Sequence, residues 1–121
     1  YKRQSLGRKL GQFLEIYDVI LTPTLAEPPI PLGVLDSNSS DVDAYLQRLW
    51  RYCPFTPLAN VTGTPSMNVP LYWSDSGLPI GVMATGRYAD EATLFALAAQ
   101  LEQACPWADK HPPISVWNTP V

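Results

Sequence analysis

Two short apolar runs joined by Ser74-Asp75-Ser76-Gly77 restrict what this chain can fold into more than any other stretch. In Ser66–Trp73, the residues Met67, Val69, Leu71 and Trp73 fall on one side and Ser66, Asn68, Pro70 and Tyr72 on the other, the period of two that belongs to a strand. Ile80, Val82 and Ala84 repeat the pattern in the second run. The four residues between are turn formers, and Gly77 can take a positive φ because it has no Cβ to clash. A strand hairpin is therefore expected. Pro70 has no N–H for a ladder, so the first strand should lie at a sheet edge or be irregular there. Ahead of the hairpin, Thr56 then Pro57 reads as a helix N-cap with proline at the first helical position, and Gly63 as the left-handed residue that stops the helix.

The flanking segments supply packing for that hairpin. Leu6, Leu10, Phe13, Leu14 and Tyr17 follow helical spacing, which predicts a one-faced helix from residue 1 to about residue 16. Asp18-Val19-Ile20-Leu21 is a nearly continuous apolar run rich in β-branched residues and predicts a strand buried on both faces. From Pro23 to Ser40 the prolines 23, 28, 29 and 31 favour an extended loop, either a surface connector or a wall of a substrate channel or subunit contact. Ser40 with Asp43 resembles a capping box, and Val42, Tyr45, Leu46, Leu49, Trp50 and Cys53 hold a helical stripe that Pro54 ends. After the hairpin, Asp90 reads as an N-cap for a helix whose buried face is Leu94, Leu97, Ala98 and Leu101. From Pro106 to residue 121 further prolines predict an extended tail. The order of helices and strands belongs to an α/β layer arrangement.

Charge and composition exclude several classes. The chain of 121 residues is 46% hydrophobic, enough for one globular unit, and its net charge of -3 with scattered basic residues gives no basic stripe for nucleic acid. No run approaches the roughly 20 apolar residues that span a bilayer. A cytoplasmic location is expected; no secretion signal is visible, but the start of a segment would not show one, so secretion of the parent stays open. Cys53 and Cys105 have no C-x-x-C spacing and sit at the ends of expected helices; apolar packing is the ordinary reading, a disulfide or a reactive thiol the alternative. With a single histidine, His111, zinc is disfavoured, and no cofactor is expected. The start at Tyr1 with a helix already under way suggests a segment of a longer protein.

The run Asn60-Val61-Thr62-Gly63-Thr64-Pro65-Ser66, the Val69-Pro70-Leu71 that follows, the segment Gly77-Leu78-Pro79-Ile80-Gly81-Val82 and the stretch Gly86-Arg87-Tyr88-Ala89-Asp90-Glu91-Ala92-Thr93-Leu94 resemble the C-terminal part of the amidase signature family of serine amide hydrolases. Tyr17 to Thr24 and Pro106-Trp107-Ala108-Asp109 fit the same pattern, so the resemblance runs from about Gln4 to about Pro113. It is closest to the branch that includes 6-aminohexanoate cyclic dimer hydrolases. Met83 stands where many members carry Gln, and Ser66 where many carry Ala. The resemblance implies a fragment of the amidase signature fold, α/β with mixed sheet strands covered by helices. It also implies a parent enzyme that cleaves linear or cyclic amides through an acyl-serine intermediate.

Amide hydrolysis needs a nucleophile, a base and donors for the oxyanion. The family attributes this work to a Ser, a second Ser in an unusual cis peptide and a Lys, the serines lying in a Gly/Ser-rich stretch. No such stretch occurs here: Ser39-Ser40 is the one serine pair and reads as helix capping, and Lys2, Lys9 and Lys110 are set in exposed contexts. The catalytic residues are therefore expected upstream, and none is assigned in this chain. Asn60, Thr62 and Asp90 are the candidate substrate-binding residues. The alternative role of Asn60 and Thr62 is to satisfy buried backbone groups, and that of Asp90 is capping alone. In amidotransferase subunits of the family an acidic residue in the segment of Asp90 resembles an anchor for the substrate ammonium. The partner implied is a small amide substrate. Strand edges and apolar faces left open also predict self-association. Two other readings stand beside the amidase: a non-catalytic interaction module built on the proline loop and first helix, and part of a glutamine-dependent amidotransferase subunit.

Overall fold

The computed structural model describes residues 1–115. The elements in order are α1 (Lys2–Leu14), β1 (Ile20–Pro23), α2 (Val42–Tyr52), α3 (Pro57–Thr62), β2 (Ser66–Trp73), β3 (Pro79–Thr85) and α4 (Glu91–Ala104). The α/β arrangement is as expected, and both strand pairs are antiparallel in the order β1-β3-β2. The central strand is thus the second arm of the hairpin. The tail expected beyond Pro106 is described only to Ser115; its remainder, 116–121, lies outside the described residues.

The hairpin forms as its pattern requires. Gly77 closes the turn at φ 78°, and Ser74 N donates to Leu78 O at 2.8 Å. Pro70 faces Gly81 but Tyr72 faces Ile80, which leaves Leu71 as an extra residue. That bulge falls beside the proline on an edge strand, where a missing donor is tolerated. Gly63 ends α3 at φ 76° and donates to Ala59 O at 2.7 Å.

Among the described residues the apolar core is Leu10, Leu14, Val69, Met83, Ala84 and Leu94. Helix α1 lies against α3, and α4 lies against β2. Leu94 rests on the backbone of Gly86, where a Cβ would come within 3.2 Å of Leu94 Cγ. Arg87 Nε donates to Leu14 O at 2.7 Å, tying the end of α1 to the segment after β3. Met83 is buried on the central strand, so an apolar residue suits that place.

Five expectations change. The first strand begins at Ile20 rather than Asp18, and Leu21 is 60% exposed, because β1 is an edge strand rather than one covered on both faces. Thr56 already has helical backbone angles (φ -60°, ψ -30°) and its hydroxyl makes no cap bond; a side chain can reach back to cap only from a non-helical N-cap. The cap of α2 is Asp41, which accepts from Ala44 N at 2.9 Å, not Ser40. The stripe on α2 exists but none of its residues is buried: Val42 and Trp50 are 60% and 57% exposed. Cys53 is half-buried, whereas Cys105 is exposed and so does not pack; both are free thiols. The tail's Trp107 and Lys110 return to the sheet, with Lys110 Nζ 5.3 Å from the centre of the Trp73 ring. No described helix is long and apolar enough to cross a membrane.

Candidate functional site

Glycine in the middle of an apolar strand marks a place where something approaches the backbone closely. A Cβ on Gly81 would collide with Asn68 Oδ1 and stand 2.8 Å from Thr24 Oγ1. Without it, Thr24 at the start of the proline loop and Asn68 on β2 meet across β3, and the Thr24 hydroxyl donates to Asn68 Oδ1. Thr24 N also donates to Gly81 O at 3.1 Å, so the loop is held to the strand by main chain and side chain together.

Two adjoining cavities open on this junction and share Asn68, Pro79 and Gly81. The smaller, about 110 Å³, is walled by Thr24, Glu27 and Pro29 of the proline loop. The larger, about 700 Å³, runs between Trp73 of β2 and the returning tail at Trp107, Lys110 and His111. Only the larger falls in the size range of small-molecule sites, roughly 300–1,000 Å³.

The loop wall has its own support. Arg48 on α2 grips Glu27 with two hydrogen bonds, Nη1 to Oε1 at 2.6 Å and Nη2 to Oε2 at 2.9 Å, and Ala26 N donates to Tyr52 O at 3.0 Å. The Arg48 hydrogen bonds hold the Glu27 carboxyl below the usual carboxylate range, with partial burial acting against them; the guanidinium is raised in turn by Glu27. The wall of the small cavity is thus held by a fork of charge-assisted bonds together with the main-chain bonds of Thr24 and Ala26.

The residues singled out from the sequence are not brought together here. Asn60 is exposed on α3. Thr62 Oγ1 donates to Leu58 O at 2.8 Å and pairs with Thr64 Oγ1 at 3.0 Å. Asp90 caps α4, its Oδ1 accepting from Thr93 N at 3.4 Å and its Oδ2 from Thr93 Oγ1 at 2.8 Å. None of the three lines either cavity. Sequence reasoning passes over Asn68 and Gly81. The signal that finds them is the glycine inside the second apolar run, read together with a polar residue on the facing strand.

Several hydroxyls of the kind that amide chemistry recruits are already engaged. Ser66 Oγ pairs with Thr85 Oγ1 at 2.8 Å, Ser74 Oγ with Ser76 Oγ at 2.9 Å, and Ser39 Oγ accepts from Asp41 N at 3.2 Å. Lys2 and Lys9 stand exposed on α1. A serine needs a base within hydrogen-bond reach to act as a nucleophile, and those four serines face other hydroxyls or main chain.

Comparison with known proteins adds the following. The amidase family model matches residues 1–95. AmiC of Mycobacterium leprae, a protein named as an amidase, is 43% identical over 105 residues, which are 87% of this chain and 22% of that protein. The solved structure of 6-aminohexanoate cyclic dimer hydrolase superposes with a TM-score of 0.76 at 28% identity, over 91% of this chain and 24% of the other. One solved component of the glutamyl-tRNA(Gln) amidotransferase of Thermotoga maritima gives a TM-score of 0.70 at 30% identity, over 89% and 22%. The chain thus spans less than a quarter of the length of these relatives.

Proposed function

The chain belongs to the amidase family, and from that premise we propose that it is the C-terminal part of an enzyme that hydrolyses linear or cyclic carboxamides through an acyl-serine intermediate. The observation that carries the proposal is the superposition on 6-aminohexanoate cyclic dimer hydrolase over 91% of the chain. In the proposed reaction a serine upstream of this chain attacks the amide carbon, the amine leaves with a proton, and water then releases the acid and restores the serine. The second serine and the lysine of the same upstream segment carry the protons. This chain supplies sheet strands, covering helices and the walls of the groove around Asn68 and Gly81.

Two features support a role within a larger structure. Thr22 Oγ1 on the edge strand β1 is buried with no hydrogen-bond partner among the described residues, and such groups ordinarily find one. The apolar stripe of α2 is uncovered. Of the candidate binding residues, Thr62 and Asp90 already make local bonds and Asn60 is exposed on α3; all three remain proposed contacts for the substrate.

The likeness to the amidotransferase component favours a second reading, in which the amide cleaved is that of glutamine. One experiment addresses both: a longer protein containing this chain is assayed on aliphatic, aromatic and cyclic amides and on glutamine, beside the 121-residue chain alone. The expected result is amide hydrolysis by the longer protein and none by the chain. Glutamine as the sole substrate would replace the first reading with the second. Hydrolysis by the chain alone, or by neither, would overturn both.

A further inference from the structure

We propose that the larger cavity is a binding site for small organic carboxylates that carry an apolar ring. Its walls are of two kinds. Trp73 and Trp107 both line it with flat apolar surface, and prolines and glycines form much of the rest, so the body of a ligand meets little that needs hydration. The polar side chains in the lining are few: Asn68, Lys110 and His111 beside the two indoles. Lys110 is the one side chain with a fixed formal charge among those lining the cavity, and its Nζ is already held over the Trp73 ring. Asn68 Oδ1 is occupied by the Thr24 hydroxyl, which turns the amide so that its NH2 is the end left for a ligand. A cation and an N–H donor beside aromatic walls match a carboxylate on a ring.

Size and charge agree with this assignment. A cavity of about 700 Å³ admits a single-ring acid with room to spare. A neutral amide of the same shape keeps the aromatic contacts and loses the attraction to Lys110, so the site should separate an acid from its own amide. An acid is also what amide hydrolysis releases, but binding can be read without hydrolysis, so this inference and the proposed reaction can fail separately.

The test is a titration of the 121-residue chain with phenylacetate and with phenylacetamide, followed by tryptophan fluorescence and by chemical-shift changes at the Trp73 and Trp107 indole N–H groups. Phenylacetate should bind saturably and about fivefold more tightly than the amide, the effect of one exposed ion pair. Lys110→Met should bring the acid down to the level of the amide and leave the amide unchanged. Asn68→Asp, which sets a carboxylate against the ligand, should weaken the acid further still, while Arg51→Met, away from the cavity, should change nothing. Equal binding of acid and amide would overturn the proposal. So would an acid affinity indifferent to both Lys110→Met and Asn68→Asp in variants with unchanged circular dichroism, or shift changes that bypass both indoles.

Discussion

The hairpin with α4 and the proline loop with α2 are equally well patterned, yet only the first has a core. Strands β2 and β3 alternate with a period of two, α2 carries an apolar stripe with the period of a helix, and each element forms where its pattern places it. Val69, Met83, Ala84 and Leu94 are buried, while no residue of α2 is. Periodicity selects the element; burial depends on what lies opposite. For the hairpin the opposite surface is close in the chain, since α4 follows β3 directly. For α2 it is not among the described elements, and the helix is held by its loop instead, through Glu27 and Tyr52.

Truncating one large side chain from each region tests that contrast most strongly. Leu94→Ala opens a hole above Gly86 and should cost about 3 kcal/mol in urea unfolding. Trp50→Ala removes a larger side chain that is 57% exposed, and should cost less than about 0.5 kcal/mol. The comparison breaks if the two losses are alike. A Trp50 loss that grows with protein concentration would instead show the α2 stripe covered by a second copy, as the open apolar faces predict.

A smaller effect separates the cap of α2 from its neighbour. Asp41→Ala removes the bond to Ala44 N and should cost about 1 kcal/mol, whereas Ser40→Ala should be nearly silent. Equal effects would return the cap to Ser40. The helix itself is legible from its stripe, but which of two adjacent polar residues caps it depends on backbone angles that the pattern does not carry.

The same limit runs through the rest of the molecule. Pro70 announces an edge strand and an irregularity because a missing donor is a property of the residue itself. The apolar run sets strand β1 two residues early and too deep, since its register is decided by pairing with β3, a partner remote in the chain. Asp90 as a cap is readable for the reason that Pro70 is: the bond it makes is local. The groove is not readable. Asn68 comes from β2, Thr24 from the proline loop and Lys110 from the tail, and only the folded sheet brings them to one place. Family resemblance places the chain, but Asn60 and Thr62, picked as polar residues on a short helix, and Asp90, the one tied to the family, line neither cavity.

The smallest expected effect concerns the bond that holds the loop. Because Arg48 depresses the Glu27 carboxyl in the folded chain, the bridge contributes stability above the ordinary glutamate range, near pH 4.3, and loses it as pH falls through the depressed value. Glu27→Gln has no such dependence. The stability difference between wild type and Glu27→Gln should therefore be constant from neutral pH to about pH 5 and shrink below about pH 4. Both partners are partly solvent-exposed, so salt should shrink it as well. A difference that stays level through the acid range would mean that the main-chain bonds of Thr24 and Ala26 hold the loop unaided. In that case the fork is an ornament of the surface and the small cavity keeps its wall without it. A difference that closes on acidification, with exchange of the Ala26 amide rising in step, would make the fork the reason that α2 stays beside the sheet without a core of its own.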